Sequence, residues 1–118
     1  MTTLTEFLLA RIAEDEAEAR SAIAEYETSP PSVYEMAQVP YLDAGDPIRV
    51  LAECEAKRRI VEKFEDVIAS GVRPINAPCP SEGDARALIA EGAALGLALK
   101  ALALPYAGHP DYDEAWKP

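Results

Sequence analysis

The stretch Asp46–Gly71, DPIRVLAECEAKRRIVEKFEDVIASG, decides the fold class. Asp46 carries a side chain that can accept from the free N–H groups of a helix's first turn. Pro47 suits the first helical position, where its missing N–H costs nothing. Gly71 suits the left-handed residue that ends a helix. Between them, Val50, Cys54, Lys57, Val61, Phe64 and Ile68 recur at alternating four- and three-residue spacing. That spacing lines them up as a seam that packs against another helix. Lys57 is the one charge on it.

The same pattern appears upstream. Thr3-x-x-Glu6 is a capping box, which predicts a helix starting near Leu4. Leu8, Ile12, Asp15, Ala19, Ala22 and Tyr26 form a second seam, again with one charge, Asp15. Glu14, Glu16 and Glu18 surround Asp15 with acid, and Arg11 and Arg20 offer surface partners. Downstream, Ser81-x-x-Asp84 opens a third helix in capping-box fashion. From Ala87 to Leu104 this segment is apolar on nearly all sides. Leu88, Leu95, Leu99 and Leu102 mark one face, and Gly92 and Gly96 allow another backbone to approach closely. The run holds Glu91 and Lys100 and barely reaches ~18 residues, short of the ~20 that a bilayer requires. The expectation is therefore no membrane span, but a helix buried on several sides or in a homo-oligomer interface.

Pro30, Pro31 and Pro40 break the chain between the first two helices, and Pro74, Pro78 and Pro80 break it before the third. The first connection holds Val33, Tyr34, Met36, Val39, Tyr41 and Leu42, so it is expected to pack as an irregular crossover. The predicted architecture is all-α: a single domain over 1–118 with three main helices, near 4–27, 47–70 and 82–104, joined by Pro-rich connections. An ordered tail closes it, because Tyr106, Tyr112 and Trp116 are more aromatic than disorder tolerates.

A chain of 118 residues suffices for one core without staples. Hydrophobic residues at 49% and charged residues at 27% are those of a soluble globular protein. The net charge of −10 argues against nucleic-acid binding, which needs Lys and Arg against phosphate. Cys54 and Cys79 show no CxxC spacing and read as free thiols in a reducing, cytoplasmic setting. The start, MTTLTEF, lacks the basic residues of a secretion signal.

ALPYAGHPDYDEAWKP at 103–118, DPIRVLAECEAKRRIVE at 46–62 and FLLARIAEDEAEAR at 7–20 resemble an uncharacterised family of small proteins from actinobacteria and their phages. The resemblance implies a helical layout. It brings no activity, cofactor or catalytic residue with it.

Three constellations could carry chemistry. Asp15 and Lys57, each alone on an apolar seam, are expected to lie near each other if the helices pack antiparallel, with Arg58 and Arg59 as alternative partners for Asp15. A buried unpaired charge is costly, so each must find a partner or reach solvent. The structural role is a register-fixing ion pair; the functional one is an acid–base dyad. The carboxylates around Asp15 do not form the Glu-x-x-His pattern of di-metal bundles. His109 with Asp111 and Asp113 could titrate near neutrality, but Gly108-His109-Pro110-Asp111 reads first as a turn that returns Tyr112 and Trp116 to the helices. There is no P-loop, dinucleotide fingerprint, GxSxG or zinc-ligand spacing.

The expected function is a non-catalytic, cytoplasmic interaction or regulatory protein. It would be a phage or mobile-element accessory factor that binds a host protein, and a homo-oligomer through the third helix. Tyr106, His109, Tyr112 and Trp116 are its candidate contact residues. No catalytic residue, cofactor or metal is expected, and neither nucleic acid nor membrane as a partner. The alternatives are a small enzyme or metal protein using Asp15, Lys57 and His109, and an acidic mimic of nucleic acid.

Overall fold

A computed structural model describes residues 2–28, 46–71, 78–79 and 81–118. The crossover expected over 29–45 and the break expected at Pro74 lie outside these residues. Three helices carry the fold: α1 (Leu4–Thr28), α2 (Pro47–Gly71) and α3 (Glu82–Ala103). The protein is all-α, and the described residues contain no strand.

The caps form as the sequence implies. Thr3 Oγ1 accepts from the Glu6 N–H at 3.1 Å, and Glu6 Oε2 accepts from the Thr3 N–H at 3.2 Å. Asp46 Oδ1 accepts from the Ile48 N–H at 3.0 Å. Ser81 Oγ accepts from the Asp84 N–H at 3.1 Å. Each bond satisfies a donor that a helix start leaves free. Gly71 departs from expectation. It closes α2 in helical conformation, and no described glycine adopts a positive φ.

Neighbouring helices run antiparallel: the later residues Ala19 and Ala22 of α1 share a cleft with Pro47 and Val50 at the start of α2, and along α3 Leu88, Gly92 and Gly96 meet Gly71, Val67 and Phe64 of α2 in reverse order. Cys54 Sγ donates to the Ile12 carbonyl, and Arg58 reaches Glu16, which ties α2 to α1. Gly92 and Gly96 meet Val67 and Phe64, which ties α3 to α2. A Cβ at Gly92 would lie 3.6 Å from Val67 Cγ1, so the glycines serve the α2–α3 crossing within one molecule. The partnership is staggered. The central part of α2 is flanked by both other helices, whereas its last turns pack on α3, at Gly92 and Leu88.

The core gathers Phe7, Leu8 and Ile12 of α1, Cys54 and Val61 of α2, and Leu99 and Ala103 of α3. The seams hold in the middle and drift at their ends, because 3.6 residues per turn does not match a seven-residue repeat. On α2, Val67 is buried and Ile68 is 52% exposed. On α1, Ala22 and Tyr26 are exposed.

Beyond α3 the chain makes a 3₁₀ turn at Leu104–Tyr106, with Pro105 in its first positions, and a second at Glu114–Trp116. Between them the Tyr112 N–H donates to the His109 carbonyl at 3.0 Å, a turn that returns the chain to the helices.

Candidate functional site

The three helices bring their polar groups to one place. Tyr106 starts the tail at the end of α3, and its hydroxyl donates to Asp15 Oδ2 at 2.5 Å. Lys57 Nζ donates to the same hydroxyl oxygen at 3.3 Å and lies 5.6 Å from the ring centroid. The two isolated seam charges are therefore joined through a phenol. Among the described residues no direct ion pair forms between them. The geometry follows from the antiparallel seams, which set Asp15 and Lys57 at similar depth. Burial pushes the Tyr106 hydroxyl well above its usual range, and the Asp15 carboxylate that it donates to reinforces this. The proton stays on the phenol, and the oxygen accepts from Lys57 with its lone pair.

Arg58 takes a different partner. Its Nε and Nη2 donate to Glu16 Oε1 and Oε2 at 2.6 and 3.2 Å, a bidentate pair. The Arg58 hydrogen bond holds the Glu16 carboxyl below its usual range despite burial. Nothing in the sequence marks Glu16 for this role, since one more acid in a dense acidic run gives no signal of a cross-helix partner.

Asp15, Lys57 and Cys54 also face a cleft of about 380 Å³ between the second half of α1 and the first half of α2. Ala19, Ala22 and Val50 form its apolar walls, and Glu18 and Glu53 its acidic rim. Cys54 is buried, and burial raises its thiol pKa. It is therefore held away from the reactive thiolate form.

The tail rings close over one residue. Phe7 is the hub, with ring centroids of Trp116 at 5.1 Å, His109 at 5.7 Å, Tyr112 at 5.9 Å and Tyr106 at 6.3 Å. Tyr112 and Trp116 meet edge to face at 5.6 Å. His109 Nδ1 accepts from the Asp111 N–H at 3.0 Å, so this nitrogen serves the turn. Of the four candidate contact residues, all are partly buried by this packing. Asp15 and Lys57 meet on Tyr106, and His109 stands against Phe7, on which Tyr106 also packs. Arg11 lies over Phe7 with its Cζ 5.3 Å from the centroid and pairs with Glu14 at 3.1 Å. Its Nε and Nη1, like the Tyr112 hydroxyl, are buried without a hydrogen-bond partner among the described residues. No group of three or more described His, Cys, Asp or Glu side chains is placed to hold a metal ion.

The least satisfied surface is apolar. In α3 the buried residues are Leu99 and Ala103, and neighbours cover the side toward α2. The opposite side carries Ala90, Ala93, Leu97 and Leu104, all exposed, with Leu97 at 60% and neighbouring Ile89 at 72%. The expectation of a helix buried on several sides is corrected here: α1 and α2 together cover one side. By length and composition Glu82–Tyr106 could cross a membrane. Lys63 of α2 pairs with Glu91 at 3.4 Å along one flank of this helix.

A family model matches residues 1–118. The chain belongs to DUF6221, a family of unknown function. The family assignment covers every element described above and carries no chemistry for any of them. No curated protein and no solved structure matches the chain.

Proposed function

We propose that this DUF6221 protein is a non-catalytic interaction or regulatory protein whose contact surface is the outer face of α3. The observation that carries the reading is the exposure of Ala90, Ala93 and Leu97 on one side of α3, continued by Leu104 in the 3₁₀ turn that follows it. Contiguous apolar surface of this kind marks binding sites in soluble proteins. The polar clusters support the same reading. Tyr106 keeps its proton, Cys54 is held away from its thiolate, and Glu16 is consumed by Arg58. A phage or mobile-element accessory role in an actinobacterial cytoplasm, with a host protein as partner, extends this proposal and rests on the sequence resemblance.

Affinity capture from an actinobacterial lysate tests it, with wild type, Leu97→Glu and Trp116→Ala as baits. The expected result is one defined protein held by wild type and Trp116→Ala and lost with Leu97→Glu. Loss with Trp116→Ala alone would move the surface to the tail, and no retained protein would overturn host binding.

A second reading has one observation behind it. Asp15 and Lys57 line an open cleft whose volume lies within the range of small-molecule sites. An enzyme built there would use Asp15 and Lys57 with Tyr106. Mass spectrometry of the native protein for a retained ligand separates it from the first reading.

A further inference from the structure

We infer that residues 107–118 form a strap that lifts from α1 as one body and uncovers Phe7 and Arg11. The strap is self-contained. The Tyr112 N–H donates to the His109 carbonyl, and the Trp116 N–H to the Asp113 carbonyl. The Asp113 carboxylate accepts from the Ala115 N–H, and Lys117 pairs with Glu114 at 2.7 Å. Among the described residues, its hydrogen bonds and ion pairs reach no further back than the 3₁₀ turn at Leu104–Tyr106, and none crosses to α1, α2 or α3. Its hold on the helices is apolar and centres on Phe7, where His109, Tyr112 and Trp116 pack. The last side-chain bonds that tie this end of the chain to the other helices are those of the Tyr106 hydroxyl with Asp15 and Lys57. Gly108 follows closely. No atom lies within 4 Å of where its Cβ would stand, so the backbone has room to pivot there.

Closing the strap carries a cost that opening removes. The buried polar atoms without a partner among the described residues are Arg11 Nε, Arg11 Nη1 and the Tyr112 hydroxyl. All three belong to the contact around Phe7: Arg11 stands over its ring, and Tyr112 packs on the same ring. By helical periodicity Phe7 and Arg11 share one flank of the α1 seam, and Glu16, which reaches α2, lies on the other. Arg11 is 8% exposed, and Glu14, its ionic partner, is an exposed residue whose pairing returns little. A buried donor that gives up water and gains no acceptor costs more than an ordinary hydrogen bond returns. In the lifted state water reaches the guanidinium and the phenol, while the strap keeps its own turns and Tyr106 stays on Asp15 as the post of the hinge. The lifted state presents an aromatic ring one helical turn from a guanidinium, a surface separate from the outer face of α3.

Relaxation dispersion of the Trp116 indole N–H, from the single tryptophan of the chain, reads the lifted state in the intact protein. The expected result is a minor state with a population on the order of 1% at Trp116. The backbone amides of Leu8 and Val61, both in the core, should show no such exchange. Two variants test the cause. Arg11→Met keeps an apolar stem on Phe7 and removes both orphaned donors. Tyr112→Phe keeps the ring and removes the orphaned hydroxyl. Each should lower the minor population roughly threefold or more. No exchange at Trp116 overturns the inference. So does exchange shared with Leu8 and Val61, which is unfolding of the whole chain. A population unchanged or raised in both variants overturns it as well.

Discussion

Tyr106 and Asp15, 91 positions apart in the chain, share the shortest hydrogen bond between neutral and charged side chains in the described structure, at 2.5 Å. The bond joins the end of α3 to the middle of α1, and Lys57 of α2 joins the same oxygen. One hydroxyl thus fastens all three helices. Tyr106→Phe removes it and keeps the ring on Phe7. The expected loss is about 1–2 kcal/mol, since Asp15 and Lys57 are half-buried and water replaces part of the bond. Urea unfolding at neutral pH measures it.

The same residue sets an alkaline limit. Tyr106 ionises above its ordinary value near 10 in the folded state. A raised pKa contributes stability that is fully present below the unfolded value and is lost as pH rises through the folded one. Melting temperature should therefore fall above pH 10 more steeply in wild type than in Tyr106→Phe. Equal slopes would show that Tyr106 is not the responsible group.

Glu16 sets the acid limit. Its carboxyl is held below its ordinary value near 4.5, chiefly by the Arg58 hydrogen bond. A depressed pKa contributes stability that is present above the unfolded value and lost as pH falls through the folded one. Glu16→Gln should cost about 1–2 kcal/mol at pH 7, because the pair is partly open to water. The difference from wild type should shrink below pH 4.5.

At the α2–α3 crossing, Gly92 and Gly96 leave ordinary contact room for one methyl group, at 3.6 and 3.8 Å from Val67 and Phe64. Gly92→Ala and Gly96→Ala should each raise stability by about 0.5–1 kcal/mol through helix propensity. Gly96→Leu should instead push Phe64 aside and cost about 1–3 kcal/mol. Thermal melts of the three variants decide it.

Trp116 tests the tail. It packs on Phe7 and Tyr112, and the three rings share their apolar area. Trp116→Ala should cost about 2–4 kcal/mol, below the full value for a buried ring because Trp116 stays partly open. Stability equal to wild type would show that the ring serves a surface instead.

The helices were legible in the sequence because local chemistry makes them. Thr3, Asp46 and Ser81 act on N–H groups two or three residues away, so their capping is readable without the fold. The pairing of seams was also legible in outline, and with it the depth shared by Asp15 and Lys57. What stayed hidden depends on how far each helix is rotated about its axis. That rotation exchanges Ile68 for Val67 in the core and turns Leu97 outward. Tyr106 was hidden for another reason. In the sequence it is one aromatic among several in the tail, and nothing local marks it as the hydroxyl between two distant charges.

The place of Phe7 in the fold has a consequence for the order of folding. The rings that cover it, Tyr112 and Trp116, lie more than 100 positions further along the chain. Closing so long a chain segment is slow and entropically costly. The phenylalanine therefore stays uncovered until the segment after α3 has docked. A variant that frees this segment displays the ring as an address for chaperones and proteases. The segment after α3 thus acts as a cover on the first helix.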